Sequence, residues 1–377
     1  MDPRCTRCWA EIDLNALHAN LAVVREHAPT ADVLAVVKAN AYGHGLTKVC
    51  QSLASKVTHF GVATISEASI IRKALENAPS PSILIMGETL AEDVPKAISR
   101  DWHLSVSSIT QCQALATVAG TLGRPAHVHL VADTGMGRIG ALPADFAALC
   151  RYAREHSELH VRGISTHLSS ADEDEPYTKG QLSEFDQLLN QVLDLWTAED
   201  RPLVHVLNSA GIFRHGQAEH RTLVRPGLML YGCAPEQQFQ SALNPVMTVK
   251  SRVRLVRELP AGHGVSYGHT HTTTSPTLVA TIGIGYGDGF PRSLANRETS
   301  VLIHGQRCPL LGRVTMDQIM VNVTALDKQV DVGDEVVILG SQEGETVDLH
   351  ELASKAQTIP WEILTGISGR VCRIHHE

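Results

Sequence analysis

Short apolar runs alternate with amphipathic stretches from Trp9 to about Gly232. Runs of this length are typical of strands buried on both faces, and a three-to-four-residue apolar spacing is typical of covering helices. The pattern predicts helices after Asp13, which can cap the first of them, over 66–75, and along the face formed by Leu182, Phe185 and Leu189. It also predicts eight strands: Val33–Val37, His59–Ala63, Ser82–Met86, His103–Val106, His127–Val131, Val161–Thr166, Leu203–Leu207, and Leu223–Val224 leading into Gly227–Tyr231.

Eight strand and helix units in this length indicate an α/β fold, an N-terminal (β/α)₈ TIM barrel. Such barrels place their chemistry at the C-terminal ends of the strands. An open doubly wound sheet is the alternative, and it would gather a ligand near one switch point. Polar residues instead follow or lie within strands around the predicted ring, which favours the barrel: Lys38, Arg138, His167, Asn208, Ser209 and, within the eighth strand, Arg225.

The pattern changes near Leu243, after which short strands and frequent glycine turns dominate. Four strands are predicted in this part, over 277–284, 300–303, 319–323 and 335–339. We therefore expect a barrel domain over 10–243 and a C-terminal, mainly-β domain over 244–377, with residues 1–9 as a candidate to pair onto the second domain.

Composition excludes several classes of protein. The 377 residues are 43% hydrophobic and 19% charged, as in an ordinary globular protein, and the net charge of −8 comes without a basic cluster, which argues against nucleic-acid binding. No apolar run suits a signal peptide or a membrane span, so a cytoplasmic protein is expected. The eight cysteines are scattered, as expected of reduced thiols, and the lone pair Cys5 and Cys8 is a weak zinc signal.

The stretch from Val33 to Gly45 ends an apolar strand on a lysine, Lys38, and continues into small residues, a tyrosine and glycines. A lysine at the mouth of a buried strand either extends to solvent or has its pKa lowered for chemistry, and Schiff-base formation is the usual use. Gly43 and Gly45 permit close backbone approach to a ligand, and Tyr42 offers a hydroxyl to an anion. These neighbouring residues favour a lysine used for chemistry over one that extends to solvent.

The segment around Lys38 resembles the pyridoxal-phosphate (PLP) attachment motif of the alanine racemase family. The resemblance extends from Ala10-Glu11-Ile12-Asp13-Leu14 to Trp361-Glu362-Ile363-Leu364 and includes the loop Asp133-Thr134-Gly135-Met136-Gly137-Arg138. It implies that Lys38 carries PLP covalently and that the protein interconverts L-alanine and D-alanine, which supplies D-alanine for peptidoglycan. It also implies a homodimer with shared active sites.

The resemblance assigns roles by position. Lys38 and Tyr267 would be the two acid/base groups on opposite faces of the substrate's α-carbon, and Arg138 and Met316 would bind the substrate carboxylate. The implied cofactor-binding residues are Lys38, Tyr42, Arg138, His167, Asn208, Ser209, Arg225, Gly227, Leu228 and Trp361. The implied channel or gate residues are Asp172, Tyr286, Arg292, Arg313 and Asp317. No metal site is implied.

The resemblance sets Arg225 against the pyridine nitrogen of PLP. An arginine cannot take up a proton, so the ring nitrogen stays neutral and withdraws electrons weakly. A weak electron sink suits simple proton exchange, because a long-lived carbanion invites side reactions. Without the resemblance, Tyr267 between two glycine turns would be interpreted as a packing residue.

Two positions depart from the family pattern. Trp361 stands where a tyrosine that also touches the phosphate is usual, which removes a hydroxyl and adds bulk. Val131 stands where many members carry a carbamylated lysine that braces the arginine of the glycine loop, here Arg138. Trp361 keeps a racemase for serine or for several amino acids open as an alternative. A non-catalytic PLP carrier is the alternative of another class, and the whole β domain with Tyr267 counts against it.

Overall fold

A computed structural model describes residues 7–78, 80–216 and 221–377. In its N-terminal part the strands are β1 (Cys8–Asp13), β2 (Asp32–Val36), β3 (His59–Val62), β4 (Ser82–Ile85), β5 (His103–Val106), β6 (Ala126–Val131), β7 (Leu159–Ser165), β8 (Leu203–His205) and β9 (Leu223–Val224). The helices are α1 (Leu14–His27), α2 (Lys38–Tyr42), α3 (Leu46–Leu53), α4 (Ile65–Ala74), α5 (Val94–Ser99), α6 (Ile109–Leu122), α7 (Pro143–Glu155), α8 (Glu175–Val192) and α9 (Ser209–His215).

Strands β2 to β9 pair in parallel and close into a barrel in chain order. The predicted (β/α)₈ barrel is therefore confirmed, and the doubly wound alternative is wrong because β9 returns to pair with β2, Asp32 opposite Leu223. About half of the strand ends match the predicted ones, and the others differ by one or two residues. As predicted, Asp13 caps α1, and its carboxylate accepts a hydrogen bond from the Ala16 amide at 2.9 Å.

The end of the eighth barrel strand was predicted wrongly. Leu228–Tyr231 is a 3₁₀ turn rather than strand, and Arg225 lies just beyond the two-residue β9 rather than within a strand. The Ser209 hydroxyl accepts hydrogen bonds from the amides of Gly227 and Met229, at 3.0 and 3.2 Å. In this turn the amides of Gly227 and Met229 therefore bond to a side chain rather than to a neighbouring strand.

The C-terminal part is mainly β. Its strands are β10 (Met247–Leu259), β11 (Gly264–Val265), β12 (His271–Thr272), β13 (Thr277–Ile282), β14 (Ser300–Ile303), β15 (Gln306–Pro309), β16 (Ile319–Asn322), β17 (Glu335–Gln342), β18 (Glu345–Val347) and β19 (Cys372–His376). Two helices, α10 (Leu349–Ala356) and α11 (Pro360–Gly366), precede the last strand.

One strand that the pattern did not predict is β10, which spans 13 residues and is much longer than the short strands expected in this part. A register shift between Val253 and Leu255 bends β10, so that its first half pairs with β1 and β17 and its second half with β13. One strand thereby joins both halves of a nine-stranded sheet.

The chain's N-terminal strand belongs to this sheet. Cys8 and Trp9 lie opposite Ser251 and Lys250 of β10, and β1 also pairs in parallel with β19. Residues 1–9 were expected to pair onto the second domain. Of these, residues 1–6, which include Cys5, lie outside the described residues. Buried free thiols are found at Cys50, Cys112, Cys150, Cys233 and Cys308. Across the three described ranges, no helix is long and apolar enough to cross a bilayer.

Candidate active site

Lys38 stands at the mouth of β2 on a turn with unusual backbone geometry. The next four residues, Ala39–Tyr42, all have positive φ angles of 51–56° although none is a glycine. Left-handed backbone costs roughly 1–2 kcal/mol at each such residue, so the surroundings must hold this turn in place. Strain of this kind is typical of sites where one side chain must be aimed.

Glu67 is the main support of the Lys38 turn. Its carboxylate accepts a hydrogen bond from the Ala39 amide at 2.7 Å with one oxygen and from the Ala63 amide at 2.9 Å with the other. The Asn40 side chain accepts a further bond from the Leu46 amide at 2.9 Å. These side chains tie the turn to α3 and α4.

The Lys38 ammonium is partly buried beside two arginines. Burial lowers its pKa, the positive charge of Arg138 lowers it further, Glu67 opposes the shift, and Arg225 adds to it. A lowered pKa raises the fraction of neutral amine near pH 7, and the neutral amine is the nucleophile. Lys38 is thus suited to forming a covalent bond with a carbonyl compound.

Arg225 is buried at the base of the same site. Its guanidinium donates to His205 Nδ1 at 2.8 Å, to the carbonyls of Thr166 and Val206 at 2.8 and 3.0 Å, and to His167 Nδ1 at 3.3 Å. Burial and the charge of Arg138 lower its pKa to about 10, so it remains a cation at neutral pH. Burial, with the neighbouring cations Arg225, Arg138 and Lys38, lowers the pKa of His167 to about 3, so this imidazole is neutral.

A cavity of about 560 Å³ opens above Arg225. Its lining brings together most of the barrel residues that the sequence singled out: Lys38, Tyr42, His167, Asp172, Asn208, Ser209, Arg225, Gly227, Leu228 and Trp361. Asn208 also has a structural task, because its side chain caps α9 at the Gly211 amide and donates to the Leu168 carbonyl.

One wall of this cavity fits a phosphate group. The Tyr42 ring stacks on Tyr231 at 4.8 Å, and burial raises the pKa of Tyr42 to about 12, which keeps its hydroxyl a neutral donor. A Cβ atom on residue 227 would lie 2.4 Å from that hydroxyl, so only Gly227 allows the approach. The start of α9 at Ser209 faces the same cavity. The cavity therefore fits PLP. Arg225 suits the ring nitrogen, Lys38 suits the aldehyde, and the neutral hydroxyl of Tyr42 with the start of α9 suits the phosphate.

Arg138 lines an adjoining cavity of about 250 Å³ together with Lys38, Val131, His167 and Arg225. Its loop is shaped by Asp133, whose carboxylate accepts the amide hydrogens of Gly135, Met136 and Gly137. The Arg138 side chain itself is exposed. The valine at 131 is buried beside it and offers no charge.

The predicted residues of the second domain form a separate exposed group. Tyr267 is 69% exposed and Met316 is 51% exposed. The Ser266 hydroxyl donates to the Arg313 carbonyl at 2.6 Å, and the amide of Gly287, next to Tyr286, donates to the Met316 carbonyl at 2.9 Å. These bonds hold three loops together. Within the described residues, the lining of the Lys38 cavity contains neither Tyr267 nor Met316.

The remaining gate residues divide between the two parts. Asp172 lines the Lys38 cavity, whereas Tyr286 and Arg292 line a cavity of about 410 Å³ in the β part. Asp317 forms an ion pair with Arg370 at 2.5 Å, which lowers the pKa of its carboxyl. The residues expected to act as one site therefore lie in two separate groups within the described residues.

Sequence reasoning missed Glu67, Tyr231 and the histidines behind Arg225. Thr64 and Glu67 have the spacing of a capping box, so the available signal indicated a helix start rather than a support for Lys38. Tyr231 lay in a segment interpreted as strand. His129 and His205 lay inside predicted strands, where an imidazole among apolar residues was the only signal.

These features define a barrel protein whose lysine is suited to covalent chemistry with a carbonyl compound, and comparisons with known proteins identify its family. The model of the alanine racemase N-terminal domain matches residues 12–235, and the model of the C-terminal domain matches residues 246–375. The chain belongs to the alanine racemase family.

Individual relatives agree along the whole chain. The chain is 42% identical over 372 residues to an alanine racemase of Symbiobacterium thermophilum, covering 97% of this chain and 96% of the relative. The solved alanine racemase of the D-cycloserine producer Streptomyces lavendulae is 36% identical with a TM-score of 0.92, covering 99% of this chain and 97% of that one. The structure from Bartonella henselae, which has covalently bound pyridoxal phosphate, is 29% identical with a TM-score of 0.88, covering 98% and 100%.

Proposed function

We propose that this protein is an isomerase, a PLP-dependent alanine racemase that supplies D-alanine for peptidoglycan in the cytoplasm. The observation that carries the proposal is Lys38, whose pKa is lowered inside a cavity shared with Arg225, in a chain of this family. When bound, PLP withdraws electrons from the α-carbon of an attached amino acid and so makes the α-hydrogen removable.

In this proposal the barrel residues hold the cofactor. Lys38 binds it covalently, and Tyr42, Ser209, Gly227 and Leu228 receive the phosphate with hydroxyl and amide donors. Arg225 donates to the ring nitrogen and keeps it unprotonated, because a guanidinium has no proton-accepting atom. The remaining cofactor-binding residues are His167 and Asn208, with Arg138 and Trp361 at the cavity's edge.

Two groups move the proton. Lys38 and Tyr267 act at the α-carbon from opposite faces, so that one removes the hydrogen and the other returns one with inverted configuration. Arg138 and the Met316 backbone orient the substrate carboxylate, since a guanidinium fork matches a carboxylate. Tyr286, Arg292, Arg313, Asp317 and Asp172 form the entry channel.

We further propose a homodimer with shared sites. Tyr267 and Met316 are exposed and lie outside the Lys38 cavity of their own chain, which supports their projection into a second copy. The same arrangement supports a domain division at 243/244, with a barrel domain over 10–243 and a β domain over 244–377 to which β1 adds a strand. Each domain then supplies one half of each site.

The test is a racemisation assay of the purified protein with L-alanine and with L-serine, beside Lys38→Ala. Racemised alanine, with activity and the absorbance of bound cofactor both lost in Lys38→Ala, is the expected result. Serine turnover comparable to that of alanine would favour a broader racemase, for which Trp361 in the cavity wall is the motivating observation. A cofactor-loaded protein that racemises neither amino acid would instead indicate a carrier.

A further inference from the structure

Three histidines form a continuous hydrogen-bonded chain behind Arg225, through the interior of the barrel. His205 Nε2 lies 2.8 Å from His129 Nδ1, and His129 Nε2 lies 2.9 Å from His103 Nδ1. His205 Nδ1 in turn accepts from Arg225 at 2.8 Å. The interior of such a barrel is ordinarily filled by branched apolar residues. Here the three histidines replace part of that apolar packing with directional hydrogen bonds.

The arginine fixes the direction of every bond in the chain. A guanidinium only donates, so His205 Nδ1 must be unprotonated and its proton must reside on Nε2. His129 Nδ1 then accepts, its Nε2–H donates, and His103 Nδ1 accepts in turn. Burial is the largest cause that lowers the pKa of all three imidazoles, to about 3 for His103, so each is neutral and the tautomers are locked.

The surroundings are built to admit the central imidazole. Gly163 lies opposite His129 in the pairing of β6 with β7, where the register shifts. A Cβ atom on residue 163 would lie 2.2 Å from His129 Nδ1, and no L side chain fits there while the ring keeps its place. At the far end, His103 lines a cavity of about 770 Å³ at the N-terminal ends of the strands, where its Nε2–H can meet water.

Arg225 depends on acceptors that carry no charge. Its guanidinium is buried, and the acceptors around it are two imidazoles and two backbone carbonyls. Hydrogen bonds in series polarise one another, so each imidazole behind His205 makes its Nδ1 a stronger acceptor. A buried cation gains most from such strengthening, because no water can substitute.

We propose that His129 and His103 are positioning residues for Arg225. By accepting hydrogen bonds in series from His205 Nε2–H, they strengthen His205 Nδ1 as the acceptor that holds the guanidinium against the cofactor's ring nitrogen. The part of the inference that concerns the ring nitrogen rests on the proposed function. The protonation pattern of the three histidines does not depend on it. The chain extends the active site through the barrel to its N-terminal end, and neither His129 nor His103 touches cofactor or substrate.

The first experiment measures tautomers directly. Long-range ¹⁵N–¹H NMR of the holoenzyme with ¹⁵N-labelled histidine should show His205, His129 and His103 as neutral Nε2–H tautomers, with signals assigned through single variants. His160→Gln is the matched control. His160 lines the same N-terminal cavity as His103 but is not one of the three hydrogen-bonded histidines, so its substitution should leave their signals unchanged. A protonated Nδ1 on His205 or His129 would overturn the proposal.

The second experiment separates positioning from packing. His129→Gln keeps an acceptor toward His205 and a donor toward His103, whereas His129→Leu keeps only volume. We expect His129→Leu to weaken PLP binding about ten-fold, equivalent to about 1.4 kcal/mol, and His129→Gln to stay near wild type. Equal PLP affinity in the Leu variant and wild type would contradict the proposal.

Gly163→Ala keeps the experiment decisive if the Leu variant does not fold, because the added methyl should displace the His129 ring and change the His205 signal. An unchanged His205 signal would count against the proposal. If wild type binds no PLP, the proposed function fails, and the NMR result still decides the tautomer chain.

Discussion

The Glu67 carboxylate accepts the amide hydrogen of Ala39 at 2.7 Å, one residue beyond Lys38. Its other oxygen accepts from Ala63, so a single carboxylate joins the ends of two neighbouring barrel strands behind the reactive lysine. This bond holds a left-handed turn of non-glycine residues in place and puts a negative charge near an ammonium whose pKa is otherwise lowered.

Glu67→Gln should make Lys38 more reactive and its turn less stable. Loss of the negative charge should lower the Lys38 pKa further, so the free amine forms at lower pH, and loss of one acceptor should cost about 1–3 kcal/mol of unfolding free energy. The measurements are the pH dependence of PLP uptake by cofactor-free protein and the urea midpoint. Glu92→Gln, an exposed carboxylate outside the site, is the control. An uptake profile displaced to higher pH would refute the assignment.

Mixed dimers should recover activity from two inactive variants. Lys38→Ala chains keep Tyr267, and Tyr267→Phe chains keep Lys38, so a dimer of one chain of each contains one complete site if the sites are shared. Racemisation is measured before and after the variants are unfolded together and refolded. Two Lys38→Ala preparations treated in the same way are the control. Absence of any recovery, with mixed dimers verified by mass, would show that each chain uses its own Tyr267.

Trp361→Tyr should tighten PLP binding by about 0.5–1.5 kcal/mol, the net worth of one hydrogen bond. The indole lines the cofactor cavity, and a phenol there supplies the hydroxyl that the tryptophan lacks. Equilibrium dialysis of PLP measures the change. Trp361→Phe is the matched variant because it has nearly the volume of tyrosine without the hydroxyl. Equal affinities for the Phe and Tyr variants would assign the effect to volume.

Stability should fall on acidification through pH 6.5. Burial lowers the pKa of His44 to about 4 and of His103 to about 3, from 6.5. The unfolded chain binds these protons and the folded chain does not, so this stability is present above pH 6.5 and is lost as the pH falls toward 4. Each such histidine should contribute roughly 1.4 kcal/mol per pH unit in that interval.

Urea unfolding at several pH values between 7.5 and 4.5 measures this dependence. His103→Gln should reduce the slope of unfolding free energy against pH by roughly 1.4 kcal/mol per pH unit, which corresponds to one proton. His160→Gln, at an exposed position, should reduce it much less. A slope unchanged in His103→Gln would show that this imidazole titrates equally in both states.

The local pattern of residues was sufficient to predict the barrel strands and the start of the first helix. Eight buried apolar runs predicted the barrel strands, and Asp13 predicted the start of α1, because strand burial and helix capping depend on neighbours in sequence. The glycines beside Arg138 and Tyr42 marked loops for the same reason, and the family resemblance supplied the roles of the residues there.

Only the tertiary structure decided which side chains meet. The three-histidine chain joins β5, β6 and β8 across the barrel, and Glu67 supports Lys38 although its spacing suggested only a helix cap. The 13-residue β10 and the turn at Leu228–Tyr231 depend on partners distant in sequence, namely two halves of a sheet and the Ser209 hydroxyl. The sequence by itself determined which segments form the barrel strands and where α1 begins, since those depend on local burial and capping. Tertiary folding decided which side chains share the active site, because barrel closure brings strand ends that are far apart in the chain to one rim.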